Sequence, residues 1–197
     1  MTRFLIVRHG QSVWNAAGRW QGRADPPLTE LGHTQARHAA TALPTFDVLA
    51  ASTLQRAHQT ARGIAEAHGI TDIRLDARLM ERDAGGFSGL TREEIDRDYP
   101  GYLDSGRWPD GWEDADALVA RVRLGLDALA DDHPGATVVV VSHGGVIYGL
   151  EALFGLHHDR ISNLGARWFT RGADGALTVG DRVHLLASAE ETIPDQL

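Results

Sequence analysis

Phe4-Leu5-Ile6-Val7-Arg8-His9-Gly10 stands near the start of the chain, and Val138-Val139-Val140-Val141-Ser142-His143-Gly144-Gly145 repeats its pattern far downstream. Each stretch is a short apolar run that ends in a histidine followed by glycine. Runs of this length and composition read as buried strands. In an open α/β sheet, ligands bind beyond the carboxyl ends of the strands, so neighbouring strands of this kind bring both histidines to one crevice. Arg8 beside the first histidine, and glycine amides after both, are what an anion requires. The pairing points to phosphate chemistry.

The sequence between these stretches alternates strands with helices. A first strand covers Arg3 to Val7, followed by a turn-rich segment from Gly18 to Pro27. Thr29 is placed to cap a helix whose Leu31, Ala36, Ala39, Ala40 and Leu43 share one side, and Pro44 closes it. Asp47 to Ser52 is a second buried strand. The helix after it, to about Ala67, turns Ala57, Ala61, Ile64 and Ala65 inward and stops at His68-Gly69. Ile73 to Leu75 reads as a short strand, and Thr91 with Glu94 forms a capping box for a helix that must end before Pro100. Leu118, Val122, Leu126 and Leu129 make the stripe of a helix over Asp114 to Asp132. A strand over Thr137 to Val141, a helix from about Gly145 to Leu156, and two weaker strands over Arg167 to Thr170 and Leu177 to Leu185 complete the chain. This rhythm predicts a single α/β domain over residues 1–197, with a doubly wound, mostly parallel sheet flanked by helices. Gly85 to Gly111 breaks the rhythm. Dense in glycine and aromatic residues, it reads as a loop-like excursion over the sheet edge, placed to act as a lid.

Composition narrows the chemistry. A chain of 197 residues with 43% apolar content can bury a sizeable core. A net charge of −8 argues against nucleic acid or an anionic membrane surface as partner. There is no cysteine, which excludes disulfides, thiolate nucleophiles and cysteine-ligated metals. All 19 Lys/Arg positions are arginine, which excludes Schiff-base chemistry and the lysine phosphate loop of nucleotide-binding proteins. No stretch is long enough to span a bilayer, and the expected location is the cytoplasm.

Four further features surround the two histidines. Gln11-Ser12-Val13-Trp14-Asn15 continues the first motif, and Gln21-Gly22 closes the loop behind it. Ser52-Thr53-Leu54-Gln55-Arg56-Ala57 sets an arginine just after a second strand, where a cation opposes the helix dipole and a site role is favoured. Leu79-Met80-Glu81 precedes Gly85 and Gly89 at regular spacing, and that spacing selects Glu81 over the neighbouring Asp83, Glu93 and Glu94. With these motifs in this order, the chain resembles the histidine phosphatase superfamily, the phosphoglycerate mutase-like fold, from Arg8 to about Asn163. The resemblance implies that His9 is a nucleophile forming a phosphohistidine and that Glu81 donates a proton. It further implies that Arg8, Arg56 and His143 hold the phosphoryl oxygens, with Asn15, Gln21, Gly22 and the Gly144 amide completing the phosphate site.

The residue types suit those roles. Phosphoryl transfer requires an in-line nucleophile and neutralisation of the oxygens around phosphorus. Neutral imidazole attacks through one nitrogen while a backbone carbonyl fixes the other. Arginine offers planar paired donors and stays charged at any working pH. Two arginines plus a protonated or donating His143 would offset the dianion without a metal or cofactor. The leaving alkoxide needs a proton, which a carboxylic acid kept protonated by burial and by a bound phosphate can supply, and Glu81 is the candidate.

Other groups take plainer readings. His58, His68, His133 and His184 read as surface or cap residues, and His157-His158 cannot share a helix face as metal ligands would. Asp96-Arg97-Asp98 and Asp114-Ala115-Asp116 read as solvated faces instead of a metal site. One of Trp108 and Trp112 is a candidate wall of the substrate pocket. The reading favoured is a phosphomonoester hydrolase of a small metabolite. A cofactor-dependent phosphoglycerate mutase uses the same set, but this chain is short and lacks the paired arginines and the lysine that grip the carboxylate there. A non-catalytic phospholigand-binding module would be expected to lose His9 or Glu81. A homodimer is left open, and so is the identity of the phosphomonoester.

Overall fold

The computed structural model describes residues 1–156 and 160–194. Six strands join one sheet: β1 (Thr2–Arg8), β2 (Val48–Ser52), β3 (Arg74–Asp76), β4 (Thr137–Ser142), β5 (Gly165–Arg171) and β6 (Leu177–His184), in the order β3-β2-β4-β1-β5-β6. The first four are mutually parallel, while β5 and β6 run antiparallel at one edge. β1 and β4 are direct neighbours, with Val7 opposite Val141 and Arg8 opposite Ser142. Both histidine turns therefore leave the sheet side by side.

The period-two alternation of the strands divides the core. Phe4, Ile6, Val138 and Val140 face one side and pack under α6 (Ala115–Asp132) and α7 (Gly144–Ala152). Leu5, Val7, Val139 and Val141 face the other, under α2 (Glu30–Ala40) and α3 (Gln55–His68). These eight side chains are fully buried, and each contributes about 1.5–3 kcal/mol of apolar burial. A sheet covered on both faces explains why its central strands are continuous runs of Val, Ile and Leu.

Local signals set the helix ends. Thr29 caps α2, Asp114 caps α6, and Thr91 with Glu94 closes a reciprocal capping box on α4 (Arg92–Asp98). Gly69 ends α3 with φ +66°, a conformation that suits glycine. Three expectations are corrected. α2 ends at Ala40, before Pro44, and Leu31 lies on its exposed side at 44%. α7 ends at Ala152, short of Leu156, because the chain turns through Gly155. A one-turn helix, α1 (Val13–Ala16), was too short to show any period.

The excursion between Gly85 and Gly111 is less loop-like than expected, with the anticipated capping-box helix α4 joined by two further short elements. It holds a 3₁₀ turn (Gly85–Phe87), α4 and α5 (Tyr102–Ser105), folded around their own small core. Phe87 is fully buried at the centre of this core, edge-on to Trp20, Tyr99, Tyr102, Trp108 and Trp112. Gly85 crosses the 110–112 backbone so closely that a Cβ would lie 2.3 Å from the Asp110 carbonyl oxygen. No helix among the described residues is long and apolar enough to cross a membrane.

Candidate active site

The ends of β1 and β2 open onto a solvent-open cleft of about 420 Å³, lined by Arg8, His9, Asn15, Gln21, Gly22, Arg56 and Glu81 on its inner side. Trp20, Arg82, Ala84 and Trp112 form its outer side. His9 leaves β1 with its N–H donating to the Ser142 carbonyl at 3.0 Å, so β4 fixes the nucleophile candidate directly. Its Nδ1 lies 2.7 Å from the Gly10 carbonyl, a pure acceptor, so Nδ1 carries the proton. The lone pair therefore sits on Nε2, where Arg56 Nε donates at 3.2 Å.

Arg56 is completely buried in the first turn of α3. Its two Nη atoms donate to the Ala24 and Gly22 carbonyls at 2.8 and 2.9 Å, which aims the guanidinium at His9. Gly22 thus acts through its carbonyl. Arg8 anchors one Nη to the Ile161 carbonyl at 2.6 Å, and its Nε is buried with no hydrogen-bond partner. A buried unsatisfied guanidinium nitrogen beside a cleft is a donor suited to an anion. Asn15 and Gln21 are fixed through Ser12: the Ser12 hydroxyl donates to Gln21 Oε1 at 2.8 Å, and the Ser12 N–H donates to Asn15 Oδ1 at 3.2 Å.

Burial, and then the positive charges of Arg56 and Arg8, hold His9 well below the ordinary histidine value. His143 is depressed likewise, by burial first and then by Arg56 and His9. Both rings are neutral at neutral pH, so of the two expected states of His143 it is the neutral one that the free protein holds. Burial lowers Arg56 to about 10, which leaves it charged at working pH. His143 stands edge-on to His9 with ring centres 5.2 Å apart. Its Nε2 meets Ser52 Oγ at 2.9 Å, its buried Nδ1 has no partner, and the residue is fully buried beside His9. Gly144 opens α7 beside Arg8, where a Cβ would come 3.5 Å from the guanidinium carbon.

Glu81 reaches the cleft on the chain between β3 and the 3₁₀ turn at Gly85. The Arg82 N–H donates to its Oε1 at 2.8 Å and the Gly145 N–H donates to its Oε2 at 3.1 Å. The second contact depends on glycine, since a Cβ at Gly145 would lie 2.3 Å from Glu81 Oε1. Arg121 holds the backbone from outside, donating to the Met80 and Glu81 carbonyls at 2.7 and 2.9 Å while forming a two-pronged ion pair with Glu113. Gly145, Arg121, Glu113, Ser52, Arg82 and Trp20 were not singled out from the sequence as parts of this site. Gly145, inside the second histidine motif, and Ser52, at the head of the Arg56 motif, carried a local signal.

Of the two candidate tryptophans, Trp112 lines the cleft. Trp108 stacks on it from outside, with ring centres 4.1 Å apart and 45% exposure. Asp96, Asp98 and Asp116 are exposed and Asp114 is a helix cap, as expected of solvated faces. His157-His158 lies outside the described residues. Among those described, no group of three or more His, Asp or Glu side chains could hold a metal ion.

A family model of the histidine phosphatase superfamily (branch 1) matches residues 4–167. The chain is 38% identical over 165 residues to a glucosyl-3-phosphoglycerate phosphatase of Mycobacterium tuberculosis, covering 76% of this chain and 74% of that protein. It is 39% identical over 153 residues to phosphoserine phosphatase 1 of Hydrogenobacter thermophilus, covering 73% of this chain and 71% of that protein. A solved mycobacterial glucosyl-3-phosphoglycerate phosphatase complexed with VO3 superposes with a TM-score of 0.79 at 31% identity, over 90% of this chain and 96% of that one. The chain belongs to the histidine phosphatase superfamily, whose members hydrolyse phosphomonoesters.

Proposed function

We propose that this chain hydrolyses a small phosphorylated metabolite without a metal, through a phosphohistidine on His9 Nε2, with Glu81 as proton donor. One observation carries the reading: Nδ1 is bonded to the Gly10 carbonyl, so the lone pair of Nε2 faces Arg56 in a cleft shared with Arg8 and Glu81. The phosphoryl oxygens are received by Arg8, Arg56, Asn15, Gln21 and the free Nδ1 of His143. His9 Nε2 forms a bond to phosphorus as the ester oxygen leaves, and Glu81 gives its proton to that oxygen. Water then attacks the phosphohistidine, its proton passes to the Glu81 carboxylate, and inorganic phosphate departs. Two arginine charges offset the dianion throughout.

The outer wall bears on the leaving group. Arg82 lies over the Trp112 ring at 5.3 Å and its side chain makes no hydrogen bond among the described residues. A cation and two indoles there suit a leaving group with an apolar body and an anionic substituent. The test is a panel of phosphomonoesters, with phosphoserine and 3-phosphoglycerate beside neutral sugar and aryl phosphates, run with and without a chelator. Phosphate release unaffected by the chelator, and fastest for the anionic esters, is the expected result. Formation of isomers in place of phosphate would establish a mutase, and no turnover across the panel a binding module.

A further inference from the structure

Behind the cleft, a ring of hydrogen bonds closes on the residues around His9. The Gln11 backbone N–H donates to Gln35 Oε1 at 2.9 Å, and Gln35 Nε2 donates to Thr192 Oγ1 at 3.1 Å. The Thr192 hydroxyl donates to Asn163 Oδ1 at 2.8 Å, and Asn163 Nδ2 donates to the His9 carbonyl at 2.9 Å. Every bond points the same way round, from Gln11 to His9. That sense fixes both amides. Gln35 must offer its oxygen to the Gln11 N–H, so its nitrogen faces Thr192. Thr192 then has one proton to give, to Asn163 Oδ1, which leaves the Asn163 nitrogen for His9. Bonds aligned head to tail polarise one another, and Gln35 and Asn163 are both buried, where the effect is strongest.

The neighbouring residue reinforces the clasp. Leu164 is the one non-glycine residue with positive φ among those described, at 57°, and its N–H donates to the Arg8 carbonyl at 3.0 Å. A leucine stays in that region only where its surroundings hold it. Asn163 and Leu164 therefore grip the carbonyls of His9 and Arg8 in succession. The Asn163 N–H also donates to the Thr192 carbonyl at 2.9 Å, so Thr192 is tied to this pair twice.

We propose that Asn163 and Thr192 are positioning residues for His9. Asn163 fixes the peptide between His9 and Gly10, and Thr192 fixes Asn163. The Gly10 carbonyl, one peptide further on, is the acceptor that holds Nδ1. A tilt of this backbone moves both the pivot of the imidazole and the group that orients it, while Arg56, which binds the phosphoryl group, stays on the Gly22 and Ala24 carbonyls and the Arg8 guanidinium stays on the Ile161 carbonyl. Loss of the clasp should therefore slow attack and spare phosphate binding. The inference rests on His9 being the nucleophile.

Thr192→Val removes the hydroxyl and keeps the shape; Thr192→Ser keeps the hydroxyl. The readouts, on the full chain, are rapid-quench phosphorylation of His9 by an aryl phosphate, the affinity for inorganic phosphate, and thermal melting as a folding control. Thr192→Val should form the phosphoenzyme about tenfold more slowly, with phosphate affinity within about twofold of the parent, and Thr192→Ser should recover most of the rate. A Thr192→Val protein phosphorylated at the parent rate overturns the proposal. So does one whose rate and phosphate affinity fall together, or one that serine does not rescue. Phosphoryl label on a residue other than His9 in the parent protein is a different failure, because it removes the nucleophile itself.

Discussion

The two walls of the cleft are built on different principles. On the inner wall, charged and nucleophilic side chains are buried and each is fixed by backbone groups: His9 by the Gly10 carbonyl, Arg56 by the carbonyls of Gly22 and Ala24, Arg8 by that of Ile161, and Glu81 by the N–H groups of Arg82 and Gly145. The outer wall is aromatic, partly exposed, and held by rings packing on rings around Phe87. Backbone hydrogen bonds from strand ends fix an atom to a fraction of an ångström, which suits a phosphoryl group that is the same in every substrate. An aromatic subcore can change its side chains without disturbing the sheet, which suits a leaving group that differs between substrates. Under the proposed function, chemistry belongs to one wall and selection to the other.

Substitutions on the inner wall should act on kcat with every substrate. His9→Ala is expected to lower turnover by about 10⁴-fold or more for aryl and alkyl phosphates alike, with melting temperature retained. Activity above that trace would remove His9 as nucleophile. Arg56→Lys should cost about 10²–10³-fold, because a point charge cannot hold two carbonyls and also reach Nε2. A loss below tenfold would show that charge alone suffices there.

The two depressed histidines give a stability signature with a definite sign. Unfolded histidines take up protons near pH 6.5, and the buried neutral His9 and His143 do not. Their contribution is fully present above about pH 6.5 and is lost as pH falls below it towards the folded values, by up to about 2.7 kcal/mol per pH unit for the pair. Denaturant unfolding between pH 7 and 5.5 reads this slope, and His9→Gln should halve it. A halved slope in the parent protein would mean that one ring is charged in the folded state, and a flat profile that both are.

Glu81→Gln should slow alkyl phosphates about 10²-fold and nitrophenyl phosphate less than about tenfold, since only the poor leaving group needs the proton. Gly145→Ala should show the same leaving-group dependence at smaller size, roughly tenfold for alkyl esters, by displacing the Glu81 carboxyl. Equal losses for both esters would argue that Glu81 is not the acid. On the outer wall, Trp112→Ala should raise KM about fivefold for the preferred metabolite, the equivalent of ~1 kcal/mol of apolar contact, and leave kcat for an aryl phosphate nearly unchanged. A fall in kcat across all substrates would dissolve the division between the walls.

The inner wall was legible in the sequence because its signals are local. A strand that ends in Arg8-His9-Gly10 or in Ser142-His143-Gly144 displays both the element and the residues at its tip within eight positions, and Arg56 follows its strand just as closely. Glu81 was reachable through glycine spacing. Its hold by Gly145 was not, because that contact joins residues 64 positions apart. Within the excursion, the capping box of Thr91 and Glu94 announced α4, while the 3₁₀ turn at Gly85 and the four-residue α5, bounded by Gly101 and Gly106, are too short to establish a period. The aromatic residues of the excursion were visible, but that they pack on one another and on Trp20 is a tertiary fact. The clasp behind His9 was invisible for the same reason: Gln35, Asn163 and Thr192 stand in unrelated elements and carry no motif.

The most direct test is to quench the enzyme during turnover of a phosphomonoester and locate the phosphoryl group by mass spectrometry and phosphorus NMR. Attack by His9 with Nδ1 held on the Gly10 carbonyl predicts an acid-labile, base-stable label on Nε2 of His9, absent from His9→Ala. A label on Nδ1, on any other residue, or no phosphoenzyme when chemistry is faster than breakdown would contradict it.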